Sequence, residues 1–151
     1  MLDFSAISQD LLIGVTPKPG DYEPLRALGV KLVINMRFAR GPYPDAAPEP
    51  LSFLWLRSID SPFFLIPLQN LLKGTQLALE TIQKGGRVYV HCARGRHRSV
   101  AMGAAILIAQ GHAVDEAIRL IKAGRPISDP DIFYIRRRIL EFGNTWRGLH
   151  P

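Results

Sequence analysis

The sequence is poor in cysteine and contains no long apolar run, and each of these shortages excludes a class of protein. One cysteine among 151 residues excludes an internal disulfide framework, since each bridge needs two. No apolar run approaches the roughly 18 residues of a transmembrane helix, so no transmembrane segment is expected. The N-terminal residues include Asp3 and Asp10 and lack the basic start of a secretory signal. We therefore expect a cytoplasmic protein, since a reducing compartment keeps the single thiol free.

The length and the charge of the chain limit the number of domains and the kinds of partner that it can have. With 151 residues, 47% of them hydrophobic, the chain is long enough for one buried core and short for two. This predicts a single domain over residues 1–151. The formal net charge of +6 raises the question of nucleic-acid binding. No recognition motif accompanies the positive charge, so no specific nucleic-acid partner is expected.

Short strand patterns alternate with helix patterns along the chain. Apolar runs bounded by Gly, Pro or Asn predict strands at 11–13, 31–35, 53–57 and 87–91. Helices are predicted at 21–28, 67–84, 99–110, 114–123 and, with Asp129 as its cap, 130–142. This alternation predicts an α/β fold in which a short, mostly parallel central sheet is flanked by helices on both faces. A site in such a fold lies at the carboxyl ends of the strands.

The only cysteine lies between a predicted strand and a predicted helix. Cys92 therefore belongs to a loop that opens a helix, and Arg98 follows it after five intervening residues. Backbone N–H groups in such a loop can converge on an anion, and the helix dipole favours negative charge there. An arginine can bind two oxygens of that anion, and the same surroundings stabilise a thiolate. The segment thus predicts an anion-binding loop with a nucleophilic sulfur, although a lone cysteine can also be a small buried hydrophobe.

The specificity of this signal lies in the full pattern His-Cys-x-x-Gly-x-x-Arg-Ser at 91–99. Chance places an arginine at the sixth position after a cysteine about one time in ten in a chain this rich in arginine, but the full pattern only about once in 100,000. The pattern resembles the phosphate-binding loop of cysteine-dependent protein tyrosine phosphatases of the dual-specificity branch. Segments 29–37 and 122–133 also resemble that family, whereas the proline-rich segment 38–51 has no counterpart in it.

The resemblance implies a phosphatase that works through a phosphocysteine and needs no metal and no cofactor. Cys92 is then the nucleophile, Arg98 binds the phosphoryl oxygens, and an upstream aspartate is the general acid. Asp60 fits that position, because no other acidic residue lies between Glu49 and Glu80. Its alternative is a turn aspartate in an ordinary loop.

Two polar neighbours of the cysteine have open roles. The resemblance implies that the Ser99 hydroxyl donates a hydrogen bond to the sulfur, but serine is also a common helix N-cap. His91 is expected to orient the loop backbone rather than to transfer protons. The phosphate-binding set predicted from the loop is His91, Ala93, Arg94, Gly95, Arg96, His97 and Arg98.

The substrate class depends on three of these loop residues. The resemblance implies phosphotyrosine and phosphoserine or phosphothreonine in a protein. Arg94, Arg96 and His97 favour a substrate with several phosphates, such as a phosphoinositide or an inositol phosphate, or they only add general positive charge. Arg37, Arg40 and Arg57, near the ends of other predicted strands, are candidates for the rim of the same site. Phe63 and Phe64 are expected to pack their loop on the domain rather than stack on a phenyl phosphate or contact a lipid surface.

Other classes of function remain as alternatives. A phosphatase fold could bind phosphate without turnover, but such a binder has no use for a nucleophile and an acid together. A sulfur-transfer enzyme of the rhodanese type also places cysteine in an anion-binding loop, yet Gly95, Ser99 and Asp60 fit phosphoryl transfer better. The triplet 136–138 of arginines is expected to form a solvated helix face.

Overall fold

A five-stranded sheet forms the centre of the computed structural model, which describes all residues, 1–151. The strands are β1 (Phe4–Ala6), β2 (Leu11–Gly14), β3 (Val30–Arg37), β4 (Ser52–Ser58) and β5 (Arg87–His91). Their order in the sheet is β1-β2-β5-β3-β4. All neighbours pair in parallel except the edge strand β1, which runs antiparallel to β2. The predicted mostly parallel sheet is confirmed.

Five α-helices cover the two faces of this sheet. They are α1 (Tyr22–Ala27), α2 (Leu68–Gln83), α3 (Arg98–Ala109), α4 (Val114–Gly124) and α5 (Phe133–Leu149). α1 packs on one face, α2 and α3 pack on the other, and α4 and α5 lie against α3. The predicted placement of helices on both faces is confirmed. None of these helices combines the length and the apolar character needed to cross a membrane.

The alternation of side chains along the strands separates two apolar cores. Leu11, Ile13 and Val90 belong to the larger core under α2 and α3, whereas their neighbours Leu12 and Tyr89 belong to the smaller core under α1. Strands of a sheet that is covered on both faces have this pattern, because successive side chains point to opposite sides of the sheet.

α3 is the central helix of the fold and its position is tightly fixed. Its residues 99–107 are all buried. Gly103 allows the helix to approach β2, since a Cβ there would lie 2.6 Å from the Cδ1 of Ile13. Because the cysteine loop leads directly into α3, the packing of this helix also fixes the position of the loop.

The structure corrects three details of the sequence prediction. β1 was not predicted. The last helix begins at Phe133 rather than 130, with Ile132 and not Asp129 at its N-cap, and it continues to Leu149. The backbone N–H of Asp129 instead donates to the Arg96 carbonyl, which ties this segment to the cysteine loop before the helix begins. Arg138 is not solvated, because its side chain is 13% exposed and its Nε donates to the Ile66 carbonyl.

Candidate active site

A cavity of about 210 Å³ lies where the loops after β4 and β5 meet. Its seven lining residues are Asp60, Cys92, Ala93, Arg94, Arg96, His97 and Arg98. All seven are residues that the sequence predicted for catalysis or phosphate binding. Since β3, β4 and β5 run parallel, their carboxyl ends share one edge of the sheet, and this edge brings the distant Asp60 to the cysteine loop.

Gly95 gives the cysteine loop its turn. Its φ of +66° lies in the left-handed region that favours glycine. A Cβ at this position would also lie 2.9 Å from the Nε of Arg125 and 2.9 Å from the carbonyl oxygen of Gly14. The glycine of the sequence pattern is therefore required by both conformation and space.

Arg125 holds the loop from behind and was not predicted from the sequence. The side chain is almost fully buried, at 2% exposure. Its Nε donates to the Gly95 carbonyl at 2.9 Å and its Nη2 donates to the Arg94 carbonyl at 3.0 Å. An ion pair with Asp3 at 3.2 Å balances its charge. The sequence signal was only its place inside segment 122–133, which resembles the family without assigning a role to this residue.

The Cys92 sulfur is buried at the bottom of the cavity, 3.2 Å from the Ser99 hydroxyl. Burial alone would raise the pKa of the thiol. Hydrogen bonds from the Ser99 hydroxyl and from the backbone N–H groups of Ser99 and Arg94, together with the charge of Arg98, outweigh burial and lower the pKa below its ordinary value. The N-cap of α3 is His97, so the structure favours the sulfur-binding role of Ser99 over the capping role.

Arg98 is the first residue of α3 and is anchored to the ends of two strands. Its Nη1 donates to the Ser58 carbonyl at 2.9 Å and lies 3.5 Å from the Met36 carbonyl. Its Nε is buried without a partner. A buried donor without a partner is costly.

His91 lies behind the loop at the end of β5. Burial lowers its pKa to about 4, and the charges of Arg37 and Arg98 act in the same direction. The ring is therefore neutral near pH 7 and does not supply a proton there. His91 does not line the cavity, so the structure does not bring it together with the other phosphate-binding residues predicted from the loop.

Asp60 reaches the cavity wall with both carboxylate oxygens bound. The Tyr134 hydroxyl donates to Oδ1 at 2.6 Å, and the Nδ1 of His97 lies 2.9 Å from Oδ2. Burial would raise the pKa of this carboxyl, but the hydrogen bonds from Tyr134 and His97 and the nearby charges outweigh it, and the pKa is lowered. Tyr134 was missed, because nothing in the pattern of α5 distinguishes it from a packing residue.

Of the three arginines considered for the rim, only Arg37 is linked to the cysteine loop, and the link runs through Thr16. Its Nη1 donates to the Thr16 hydroxyl at 3.0 Å, and that hydroxyl lies 3.4 Å from the Cys92 carbonyl. Arg57 stacks on the ring of Phe38 at 4.4 Å. Arg40 lies over the ring of Tyr43, 5.5 Å from its centroid.

The segment after Asp60 is exposed. The relative exposure of Phe63 is 88% and that of Phe64 is 61%, so the expectation that they pack their loop on the domain is wrong. Arg94 and Arg96 make no ion pair with an acidic residue, although the Nε of Arg96 donates to the Ile127 carbonyl at 3.1 Å. Arg94 and Arg96 thus bring positive charge to the cavity that they line, while Phe63 and Phe64 are exposed a few residues after Asp60.

Comparison with known proteins identifies relatives of this chain. No model of a protein family matches it. Dual specificity phosphatase 28 of Mus musculus is 30% identical over 135 residues, which cover 85% of this chain and 77% of that protein. Phosphatidylglycerophosphatase and protein-tyrosine phosphatase 1 of Homo sapiens is 52% identical over 56 residues, 36% of this chain and 27% of that protein. The solved structure of PTPMT1 in complex with PI(5)P superimposes with a TM-score of 0.85 at 28% identity, covering 98% of this chain and 99% of that one.

Proposed function

The chain belongs to the dual-specificity phosphatase family, and we propose that it hydrolyses phosphate monoesters through a phosphocysteine intermediate. The observation that carries this proposal is the cavity itself. It joins a sulfur with a lowered thiol pKa, an arginine with a free buried Nε and a carboxyl group from another loop. Anion binding alone would require neither the sulfur nor the carboxyl group.

In the first step the Cys92 thiolate attacks phosphorus. A sulfur–phosphorus bond forms while the bond from phosphorus to the ester oxygen breaks, and Asp60 gives its proton to that oxygen. Arg98 and the backbone N–H groups of the loop hold the other phosphoryl oxygens. Most of the rate enhancement then comes from positioning and from stabilisation of negative charge.

In the second step water attacks the phosphorus of the phosphocysteine. Asp60, now a carboxylate, takes a proton from the water while the sulfur–phosphorus bond breaks. The Ser99 hydroxyl, 3.2 Å from the sulfur, stabilises the departing thiolate by a hydrogen bond. The products are inorganic phosphate and the free enzyme. The mechanism needs Cys92 as a free thiol, and a reducing compartment such as the cytoplasm belongs to the proposal for that reason.

The test of this function is the Cys92→Ser variant. We expect it to hydrolyse an aryl phosphate at least about 10,000-fold more slowly than the wild type, because removal of a nucleophile costs this order of magnitude. Binding of inorganic phosphate, measured by calorimetry, is expected to persist because Arg98 and the loop remain. Turnover by the variant at the wild-type rate would contradict the proposal. A wild type that binds phosphate but never releases it from an ester would indicate a binding module.

Two substrate classes fit the site. Phosphotyrosine and phosphoserine or phosphothreonine in proteins are the first, by family. Phospholipid monoesters, including phosphoinositides, are the second, and the observation that favours them is the positive charge of Arg94 and Arg96, which line the cavity without acidic partners. The exposed Phe63 and Phe64 follow Asp60 in the chain and offer apolar surface to a membrane. The name of one relative and the PI(5)P in a similar structure support the same class.

A turnover panel separates the two classes. It contains phosphotyrosyl and phosphoseryl peptides, inositol phosphates, and vesicles carrying phosphatidylglycerophosphate or phosphoinositides. If phospholipids are the substrate, the double variant Arg94→Ala and Arg96→Ala should lower kcat/KM on vesicles at least about tenfold. The control with equal loss of charge replaces the exposed Arg119 and Arg137 by alanine. Equal losses in the two double variants would reduce the role of Arg94 and Arg96 to general electrostatics.

A further inference from the structure

Asp60 is held between side chains from two other parts of the chain. The Tyr134 hydroxyl, from α5, donates to one carboxylate oxygen at 2.6 Å. The Nδ1 of His97, from the cysteine loop, lies 2.9 Å from the other. The carboxyl group is thus bound at both oxygens, and each oxygen keeps a second lone pair for a proton or a water molecule.

The imidazole of His97 is itself fixed on several sides. Its ring packs edge-on against Tyr134 with centroids 5.9 Å apart. Its Nε2 is buried and lies 4.0 Å from the nearer carboxylate oxygen of Asp129. The Asp129 backbone is in turn tied to the cysteine loop through the Arg96 carbonyl, at 3.0 Å. His97 therefore stands between two carboxylates with Nδ1 directed at Asp60, which is a defined position for a donor.

The residues directly after Asp60 offer little else to hold it, and the chain is next fixed at Ile66, which is buried and whose carbonyl accepts from Arg138. Phe63 and Phe64 are exposed, and the only backbone pairing in this turn is an isolated bridge between Ser61 and Phe64. Chain segments with few buried contacts open at little cost in free energy. The two hydrogen bonds are therefore the main restraints on where the carboxyl group lies.

We infer that His97 and Tyr134 are positioning residues for Asp60, which hold its carboxyl group at the wall of the cavity where the ester oxygen departs. The inference rests on the proposed function, since it takes Asp60 as the general acid. When the proton moves from Asp60 to the departing oxygen, a carboxylate forms, and the two donors stabilise it. Hydrogen bonds to a charged acceptor are stronger than those to a neutral one. The two donors thus stabilise most strongly a transition state in which the proton has largely left Asp60.

The dependence of the rate on the leaving group distinguishes this role from a merely structural one. A residue that acts through the general acid matters most when the leaving group is poor, because a good leaving group departs without a proton. A residue that binds phosphate or supports the fold matters equally for all esters. It also matters whether or not Asp60 is present, whereas a residue that acts only through Asp60 has no effect once that carboxyl group is removed.

Tyr134→Phe is the sharpest variant, because it removes one hydroxyl. At a pH low enough to keep Asp60 protonated in the free enzyme, we expect kcat/KM for an alkyl phosphate to fall about tenfold, as loss of one hydrogen bond to a charged group allows. For p-nitrophenyl phosphate, which has a good leaving group, we expect a loss of less than about twofold. The matched control is Tyr43→Phe, which removes a hydroxyl bonded to Arg40 outside the cavity and should leave both rates unchanged.

The double-variant cycle with Asp60→Asn completes the test. On both esters, adding Tyr134→Phe to Asp60→Asn should cause no further loss beyond about twofold. His97→Ala should behave like Tyr134→Phe, and His97→Asn, which restores an amide donor, should recover part of the activity on the alkyl phosphate.

Two outcomes would overturn the inference. One is an equal loss on both esters, and the other is a loss from Tyr134→Phe that persists in full without Asp60. Neither bears on the proposed function as long as Cys92→Ser is inactive and Asp60→Asn slows the alkyl phosphate selectively. If Asp60→Asn itself shows no preference, the general acid was wrongly assigned and the inference fails with it.

Discussion

The two loops that face each other across the cavity are held in different ways. The cysteine loop is supported from behind by the buried Arg125, by the left-handed turn at Gly95 and by the buried helix that it leads into. The Asp60 loop is supported at its side chain, by Tyr134 and His97, and its next residues are exposed to solvent. The loop that we propose to bind the phosphoryl group is therefore built into the core, whereas the carboxyl group that we propose as the proton donor is held mainly by side chains at the surface of the cavity.

Because of this difference, we expect variants of the two loops to affect stability and activity in different ways. Preorganised donors stabilise negative charge best when they do not have to move during the reaction, and support from the core provides this. A weakly held acid loop can be displaced without disturbing the core. Variants of the first loop should therefore affect folding and every substrate together. Variants of the second should spare folding.

Loss of Arg125 tests the first half of this comparison and should have the largest effect. Arg125→Met removes the hydrogen bonds to the Gly95 and Arg94 carbonyls and leaves the Gly95 carbonyl, which is buried, without this partner. We expect the free energy of unfolding, measured by urea denaturation, to fall by about 3 kcal/mol. Activity should fall to a similar degree on aryl and alkyl phosphates.

The control for this variant is Arg119→Met, which replaces an exposed arginine of α4, the helix that Arg125 directly follows. Its free energy of unfolding should lie within about 0.5 kcal/mol of that of the wild type. If Arg125→Met were as stable as this control, the cysteine loop would not depend on its support from behind, and the contrast between the two loops would be lost.

Removal of the Ser99 hydroxyl tests the electrostatics of the first loop with an intermediate effect. Burial raises the pKa of the Cys92 thiol, and the Ser99 hydroxyl is the largest of the groups that lower it. Ser99→Ala should therefore shift the pH dependence of alkylation by iodoacetamide to higher pH. Breakdown of the phosphocysteine should also slow, which would appear as a burst of phenol release.

Ser52→Ala is the control, since Ser52 is exposed at the start of β4. It should alkylate with the pH dependence of the wild type. An unchanged profile in Ser99→Ala would mean that Arg98 and the backbone N–H groups alone account for the lowered thiol pKa.

The parts of the site that were predicted from the sequence are those encoded locally. The strand 87–91, the cysteine pattern and the helix after it are contiguous, so one segment of sequence specifies one segment of structure. Arg125 and Tyr134 were missed because they act at long range. Arg125 binds a carbonyl 30 residues away, and Tyr134 binds a carboxylate 74 residues away. Contacts at such separations depend on how helices pack and leave no periodic signal in the sequence.

The fold was predicted with errors of the same origin. β1 is three residues long and exists by pairing with β2, so its own sequence carries little signal. The start of α5 was placed too early because Asp129 is a good capping residue in isolation. Asp129 is instead tied to the cysteine loop through its backbone N–H, and a turn, in which the Ile132 N–H donates to the Asp129 carbonyl, separates it from the helix. In each case a tertiary contact overrode a local preference.

The exposed phenylalanines test the second half of the comparison, with the smallest expected effect. The double variant Phe63→Ser and Phe64→Ser removes rings that are 88% and 61% exposed, so the free energy of unfolding should stay within about 0.5 kcal/mol of the wild type. Turnover of soluble p-nitrophenyl phosphate should also be unchanged. Leu149→Ser, at an exposed position of α5, is the control. A loss of stability above about 1 kcal/mol would mean that these rings do pack against the domain. The Asp60 loop would then be held by the core like the loop opposite it.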